Sequence, residues 1–345
     1  MFRSFERRLD PFPDTPPPAL ATTFVRFLWA STAGARPYLL LLVLSSAAFG
    51  VFEAALFAYL GDITDWLVAT PPGELFTRHA GTLVLLAGVL LGSIALAAVG
   101  AVIKGQVLSG NLPMLLRWHY HRRLLGQSMG FFQDEFSGRL ATKVIQTAGA
   151  VRDAWMTMAD ILVYVIIYFL SMTMILGGFD ARMLAPFTGW LVLYVAAMRW
   201  FIPRLATRSE AQADARSLMT GRIADAYTNI ATVKLFSHTN REASYARAAM
   251  RDYLGTVHAQ LRLVTGFEIV NQALSVSLIG GTTGLALWLF SRGEVGVGAV
   301  AAAAAMAMRL NGLSHWIMWE MASLFEHVGT VQDLSLIHIS QGIVR

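Results

Sequence analysis

The sequence predicts an all-α membrane protein with six transmembrane helices and long cytoplasmic extensions. Three observations predict it: six long apolar stretches, a strong asymmetry of Lys and Arg between alternate loops, and two long loops with few turn signals. The stretches run roughly Leu39 to Leu60, Gly81 to Ile103, Ile161 to Phe179, Met183 to Phe201, Ile269 to Phe290 and Val295 to Phe325. Most reach the roughly 20 residues a helix needs to cross hydrocarbon, and Met183 to Phe201 is the marginal one. The second and fifth carry no charged side chain, a composition rare in a soluble helix with a wet face. Helices follow because the bilayer interior offers no water to satisfy an open sheet edge.

Charge sets the orientation. Of the 27 Lys and Arg, 5 lie in residues 1–37, 7 in 104–155 and 10 in 199–262, whereas the three opposing loops hold only Arg78, Arg182 and Arg292. By the positive-inside rule the two long loops and both termini face the cytoplasm, after an even number of crossings. A net charge of +5 suits nucleic acid in principle, but these basic residues flank membrane spans and share their loops with carboxylates, so they read as topology and lipid-headgroup contacts. The absence of Cys excludes disulfides, CxxC metal sites and thiol nucleophiles.

The chain opens without a secretory signal peptide, since no apolar core precedes Leu39. Residues 1–19, with the run PFPDTPPP from Pro11 to Pro18, read as a mobile extended tail. Residues 20–36 carry Phe24, Phe27 and Leu28 at helical spacing beside Trp29 and Arg26, the pattern of an elbow helix lying in the cytoplasmic interface before the first crossing at Pro37.

The connections around Asp62 to Ala80, Gly177 to Arg182 and Ser291 to Glu294 are short and external, whereas the internal ones run for about fifty and about sixty residues. With few turn signals between Ser209 and Gly255, the membrane helices are expected to continue into the cytoplasm; twenty extra residues per arm reach roughly 30 Å beyond the bilayer. Each hairpin has a reversal point. In the first, Phe131 to Leu140 interrupts the pattern with Gly138 and clusters Phe131 and Phe132 with Asp134 and Glu135. In the second, Ala224 to Ser237 holds Thr228, Asn229 and Thr232, which weaken helix propensity, beside apolar Val233, Leu235 and Phe236. Two tips held far from the membrane suit docking to a cytoplasmic partner.

Phe131-Phe132 followed by Gly138-Arg139-Leu140, Asn229-Ile230 with Thr232-Val233-Lys234-Leu235-Phe236, Gly293-Glu294 followed by Gly298 and Ala299, and Gly329-Thr330 occur in this order along the chain. With six spans and an elbow helix, residues 20–333 resemble the transmembrane domain of an ATP-binding cassette exporter of the half-transporter type. There are departures. Where the family commonly has Ser-Arg and then Asp after the first loop's Gly-x-Leu, this chain has Thr142-Lys143 and then Thr147. The family also continues past Asp333 into an ATPase domain, whereas Leu334 to Arg345 fit neither a helix nor a nucleotide-binding strand and are expected to be a non-native tail.

The resemblance implies a six-helix permease domain over residues 37–333, completed by a second transmembrane domain as a homo- or heterodimer and by a nucleotide-binding domain, fused or separate. The expected location is a bacterial inner membrane, with membrane lipid as a partner and no nucleic acid. The implied function is ATP-driven export of an amphipathic, drug-like or lipid-like substrate by alternating access. No GxxxxGK with Ser or Thr occurs here, so this chain is expected to bind no cofactor and to leave ATP and Mg to the nucleotide-binding domains. Phe131, Phe132, Asp134, Gly138, Asn229, Thr232, Val233 and Lys234 are then expected to couple the spans to those domains; the alternative is that these segments only turn the chain.

Charges inside apolar spans are functional candidates by default. Glu53 stands in the first span among Phe49, Phe52 and Phe57, and Arg309 interrupts the sixth. Both are candidates for a substrate cavity with Phe57, His315 and Trp316, against the alternative of helix-to-helix contacts that fix packing. Trp316, Trp319 and Glu320 read as vestibule or bundle packing, Asn271 and Gln272 as interhelical hydrogen bonds, and Ala301 to Ala305 as a close-approach surface. His119 and His121, two apart on a helix, point to different faces and do not form a metal pair. A second function class stays open, an ion- or proton-coupled secondary carrier with Glu53 and Arg309 as coupling residues, although such carriers seldom need long cytoplasmic hairpins.

Overall fold

A computed structural model describes residues 2–18, 24–71, 73–134, 137–235 and 239–333. Among them every regular element is helical. In order these are α1 (Arg3–Glu6), α2 (Phe24–Ser31), α3 (Arg36–Ala69), α4 (Leu75–Arg78), α5 (Ala80–Val102), α6 (Asn111–Leu125), α7 (Met129–Asp134), α8 (Ser137–Met156), α9 (Val163–Phe179), α10 (Leu184–Thr228), α11 (Ile230–Leu235), α12 (Thr239–Ser291) and α13 (Val297–Asp333). Wider π-helical turns over Ile103–Leu108 and Thr157–Leu162 join α5 to α6 and α8 to α9, and a 3-10 turn, Ala181–Met183, precedes α10. Six continuous helical stretches are long and apolar enough to cross a membrane.

The expected cytoplasmic extensions are present. α10 has 45 residues and α12 has 53, and the latter is about 80 Å long at ~1.5 Å per residue, more than twice the hydrocarbon thickness. One boundary is corrected. The loop expected from Asp62 begins only after Ala69, because nothing between Asp62 and Ala69 breaks a helix and the stop comes at Thr70-Pro71.

The chain divides into two compact units, one formed by Met1–Leu184, Thr282–Met306 and Ser323–Arg345, the other by Ala185–Gly281 and Ala307–Ala322. In the first, α3 packs along α9 and α5. Its core joins Leu39 and Leu42 of α3 to Leu108, Leu112 and Leu115, with Phe27 and Leu28 of α2 in the same cluster. Burying Phe27 and Leu28 stabilises the elbow by roughly 1.5–3 kcal/mol each relative to exposure, while Trp29 stays outward with the Arg36 guanidinium 4.5 Å above its ring. α5 has no buried residue, and its exposed Val84, Leu91 and Ile94 form a lipid-compatible face.

The amino-terminal segment differs from the expected extended tail. α1 is a single turn, Leu9 is buried, and residues 12–18 lie along α6. Trp118 Nε1 donates to the Pro13 carbonyl at 3.1 Å, Arg122 donates to the carbonyls of Pro13, Asp14 and Thr15, and Arg123 to that of Pro18. Phe12 meets Trp118 edge-on at 5.9 Å. Proline-rich backbone has carbonyls without matching N–H groups, and the side chains of α6 supply the missing donors.

In the connection between α9 and α10, Asp180 accepts the backbone N–H of Arg182, whose guanidinium bridges back to Asp180 and across to Glu294. The side-chain hydrogen bond from Arg182, and then the backbone one, hold the Asp180 carboxyl below its usual range. Gly293, at φ 73°, makes the left-handed turn into α13.

In the second unit, α10 and α12 pack through an edge-on Phe201–Phe267 pair at 5.2 Å and a Gln260 to Ser209 hydrogen bond of 3.0 Å. Tyr194 Oη donates to the Ser314 carbonyl at 2.6 Å, tying α10 to the central part of α13. Pro203 lies inside α10, where it withholds one helical N–H.

Candidate functional site

The two reversal points become short helices at the hairpin tips. Met129–Asp134 forms α7, with Phe131 and Phe132 edge-on at 5.5 Å and Phe132 exposed. Gly138 falls in the first turn of α8; the side chains of Asp134 and residues 135–139 lie outside the described residues. Ile230–Leu235 forms α11, with Thr232 and Lys234 exposed and Val233 half-buried. Asn229 stands in the turn ahead of it, its side chain donating to the Asp225 carbonyl at 3.0 Å. Exposed Tyr227, Ile230 and Leu235 add an apolar surface to this tip. Phe236 and Ser237 lie outside the described residues, as does the tail from Leu334.

The two groups of cavity candidates fall in different units. In the first, Tyr164 Oη donates to Glu53 Oε2 at 2.5 Å, joining α3 to α9, and the Phe49 ring lies tilted against Tyr164 at 6.2 Å; Phe57, one turn further along α3, is half-buried. In the second, Asn271 Nδ2 lies 2.9 Å from His315 Nδ1, an interhelical bond of the kind expected for Asn271. His315 opens onto a groove of about 800 Å³ lined by Glu268, Ile269, Gln272, Ala273 and Val276. Arg309, half-buried, lies on α13, and Trp316 is exposed beside His315 in sequence. The groove sets a carboxylate, an amide and an imidazole among aliphatic side chains, which suits an amphipathic ligand. Sequence reasoning missed Glu268 because it reads as the polar flank of the fifth span.

A second polar constellation was also missed. Lys104 Nζ donates to Asp160 Oδ2 at 2.5 Å, and Ser46 Oγ donates to Asp160 Oδ1 at 2.6 Å. Lys104 and Asp160 each sit on one of the two π-helical turns, a distortion that reorients side chains by inserting a residue. Both residues mark span ends in the sequence, so nothing there pairs them. His119 is buried in α6, whereas His121 is exposed and stacks toward Trp118.

The family model described as the ABC transporter transmembrane region matches residues 39–313. The chain belongs to this family. A Haemophilus influenzae protein named as an uncharacterized ABC transporter ATP-binding protein is 46% identical over 333 residues, covering 96% of this chain and 54% of that protein. Among solved structures, a bacterial Atm1-family ABC exporter with ATP bound superposes with a TM-score of 0.66 at 16% identity, over 89% of this chain and 54% of that one. The ABC transmembrane region thus spans about half the length of the relatives it matches. Both long hairpins and all the cavity candidates except Trp316 and His315 fall within the matched residues; those two follow directly after.

Proposed function

We propose that the chain is the permease half of an ATP-driven exporter that moves an amphipathic, drug-like or lipid-like substrate by alternating access. The observation that carries this reading is the pair of short helices, α7 and α11, at the ends of hairpins too long for a membrane-confined carrier. In this reading ATP and Mg are held by nucleotide-binding domains, fused or separate, whose closure pushes on Phe131, Phe132, Asp134, Gly138, Asn229, Thr232, Val233 and Lys234. Rigid helices carry that displacement to the spans. A second transmembrane domain, identical or not, completes the pathway, and the assembly sits in a bacterial inner membrane with both termini in the cytoplasm.

In this reading Arg309, His315 and Trp316, with the groove at Glu268 and Gln272, contact substrate in one unit, and Glu53 and Phe57 are candidates for substrate contact within the other. Family membership favours ATP-driven transport over the ion-coupled carrier. The test is to introduce Phe132→Asp and, separately, Val233→Asp into the intact transporter in proteoliposomes. ATP hydrolysis is expected to persist while transport of a fluorescent amphipathic probe is lost. Transport at the unmodified rate in both variants would overturn the coupling assignment.

A further inference from the structure

Three arginines line one groove of the second unit. Arg204 and Arg208, one turn apart on α10, and Arg262 on α12 line an open groove of about 830 Å³ with Pro203, Thr207, Ala259 and Leu263. None of the ion pairs among the described residues uses these arginines. Three positively charged side chains lining one groove repel one another, and an anion seated among them relieves that repulsion.

The depth of the groove identifies the anion's source. Arg204 lies twenty residues along α10 from Leu184, about 30 Å at ~1.5 Å per residue, which is the thickness of the hydrocarbon core. Trp200, exposed one turn closer to the membrane, carries the Arg204 guanidinium 4.1 Å over its ring and accepts a 2.7 Å hydrogen bond from it at its carbonyl. Aromatic side chains with adjoining arginines mark the headgroup level. These arginines come from two helices onto one groove whose remaining walls are apolar Pro203, Ala259 and Leu263 with the hydroxyl-bearing side chain of Thr207.

We propose that this groove binds the phosphate of an acidic phospholipid from the cytoplasmic leaflet. Arginine forks engage phosphate oxygens in pairs, and three of them suit a headgroup carrying more than one negative charge. The apolar walls accept the glycerol end of the lipid. The site is separate from the groove at Glu268 and His315, and it stands whether or not the export reading holds.

The test is native mass spectrometry of the full chain released from phosphatidylcholine nanodiscs doped with phosphatidic acid. The protein is expected to retain phosphatidic acid over phosphatidylcholine. Arg204→Gln and Arg262→Gln are each expected to cut that retention about fivefold, the ratio equivalent to the contribution of one arginine near a membrane surface. Arg216→Gln, which removes the same charge from an exposed site further along α10, is expected to leave retention unchanged. Retention undiminished in the Arg204→Gln/Arg208→Gln/Arg262→Gln variant overturns the proposal, as does an Arg216→Gln effect of equal size. Soluble glycerol phosphate that displaces the lipid at equal concentration also overturns it, and assigns the arginines to a free phosphate ester.

Discussion

Asp65 Oδ1 accepts the backbone N–H of Gly298 at 2.7 Å, so the C-terminal end of α3 supplies the N-terminal cap of α13. The first turn of a helix has N–H groups without intrahelical partners, and a carboxylate there also meets the positive end of the dipole. Asp65→Ala is expected to cost about 1 kcal/mol, read as a lower melting temperature in detergent, and Asp65→Asn less because the amide oxygen still accepts. Gly298→Ala is expected to cost about 1–3 kcal/mol. Its new Cβ would collide with the Gly61 carbonyl and come within 2.6 Å of Asp65 Oδ2. Combining it with Asp65→Ala restores nothing, because the Gly61 backbone remains in place. A Gly298→Ala protein as stable as the parent would refute this close approach.

The Lys104–Asp160 pair should contribute little despite its short distance. Its side chains are 46% and 24% exposed, so water screens the attraction and ordering a lysine offsets part of it. A double-mutant cycle with Lys104→Met and Asp160→Asn is expected to give a coupling of about 0.2–1 kcal/mol in thermal unfolding. A coupling several times larger would mean that the pair is desolvated in the membrane-embedded protein.

Arg122 holds three successive carbonyls of the amino-terminal segment, those of Pro13, Asp14 and Thr15. Arg122→Ala is therefore expected to release that segment from α6, at about 1 kcal/mol for each hydrogen bond that water does not replace. Limited proteolysis and hydrogen exchange check it: the chain around Asp14 and Thr15 should be cut faster and the amides of α6 exchange faster, while α9 is unaffected. Unchanged protection in both segments would remove Arg122 from this role.

That clasp shows where the sequence stops being legible. The six spans were readable because hydropathy is a local property, and the cytoplasmic continuation of α10 and α12 because breakers are absent between Ser209 and Gly255. The docking of residues 12–18 was not, because its acceptors are backbone carbonyls, which every residue owns. Lys104 and Asp160 are 56 positions apart, and the π-helical turns that aim them have no composition signature. Asp62 and Asp65 read as a loop, yet both lie on α3, where Asp65 is spent on the cap of another helix. Glu53 and His315 stand out in the sequence because they are polar groups in apolar runs, while Glu268, which lines the groove at His315, is hidden at a span boundary.

Glu53 separates packing from substrate contact. Its carboxylate takes the Tyr164 hydroxyl at 2.5 Å between α3 and α9, helices that pack closely along their lengths. A glutamine accepts the same bond, so Glu53→Gln is expected to keep the melting temperature and substrate-stimulated ATP hydrolysis of the intact transporter near those of the parent. Tyr164→Phe removes this donor, a loss of about 1–3 kcal/mol. If instead Glu53→Gln abolishes stimulation at an unchanged melting temperature, the negative charge itself meets the substrate. The Tyr164 bond would then hold the carboxylate in position, and cationic amphipaths would lose more transport than neutral ones.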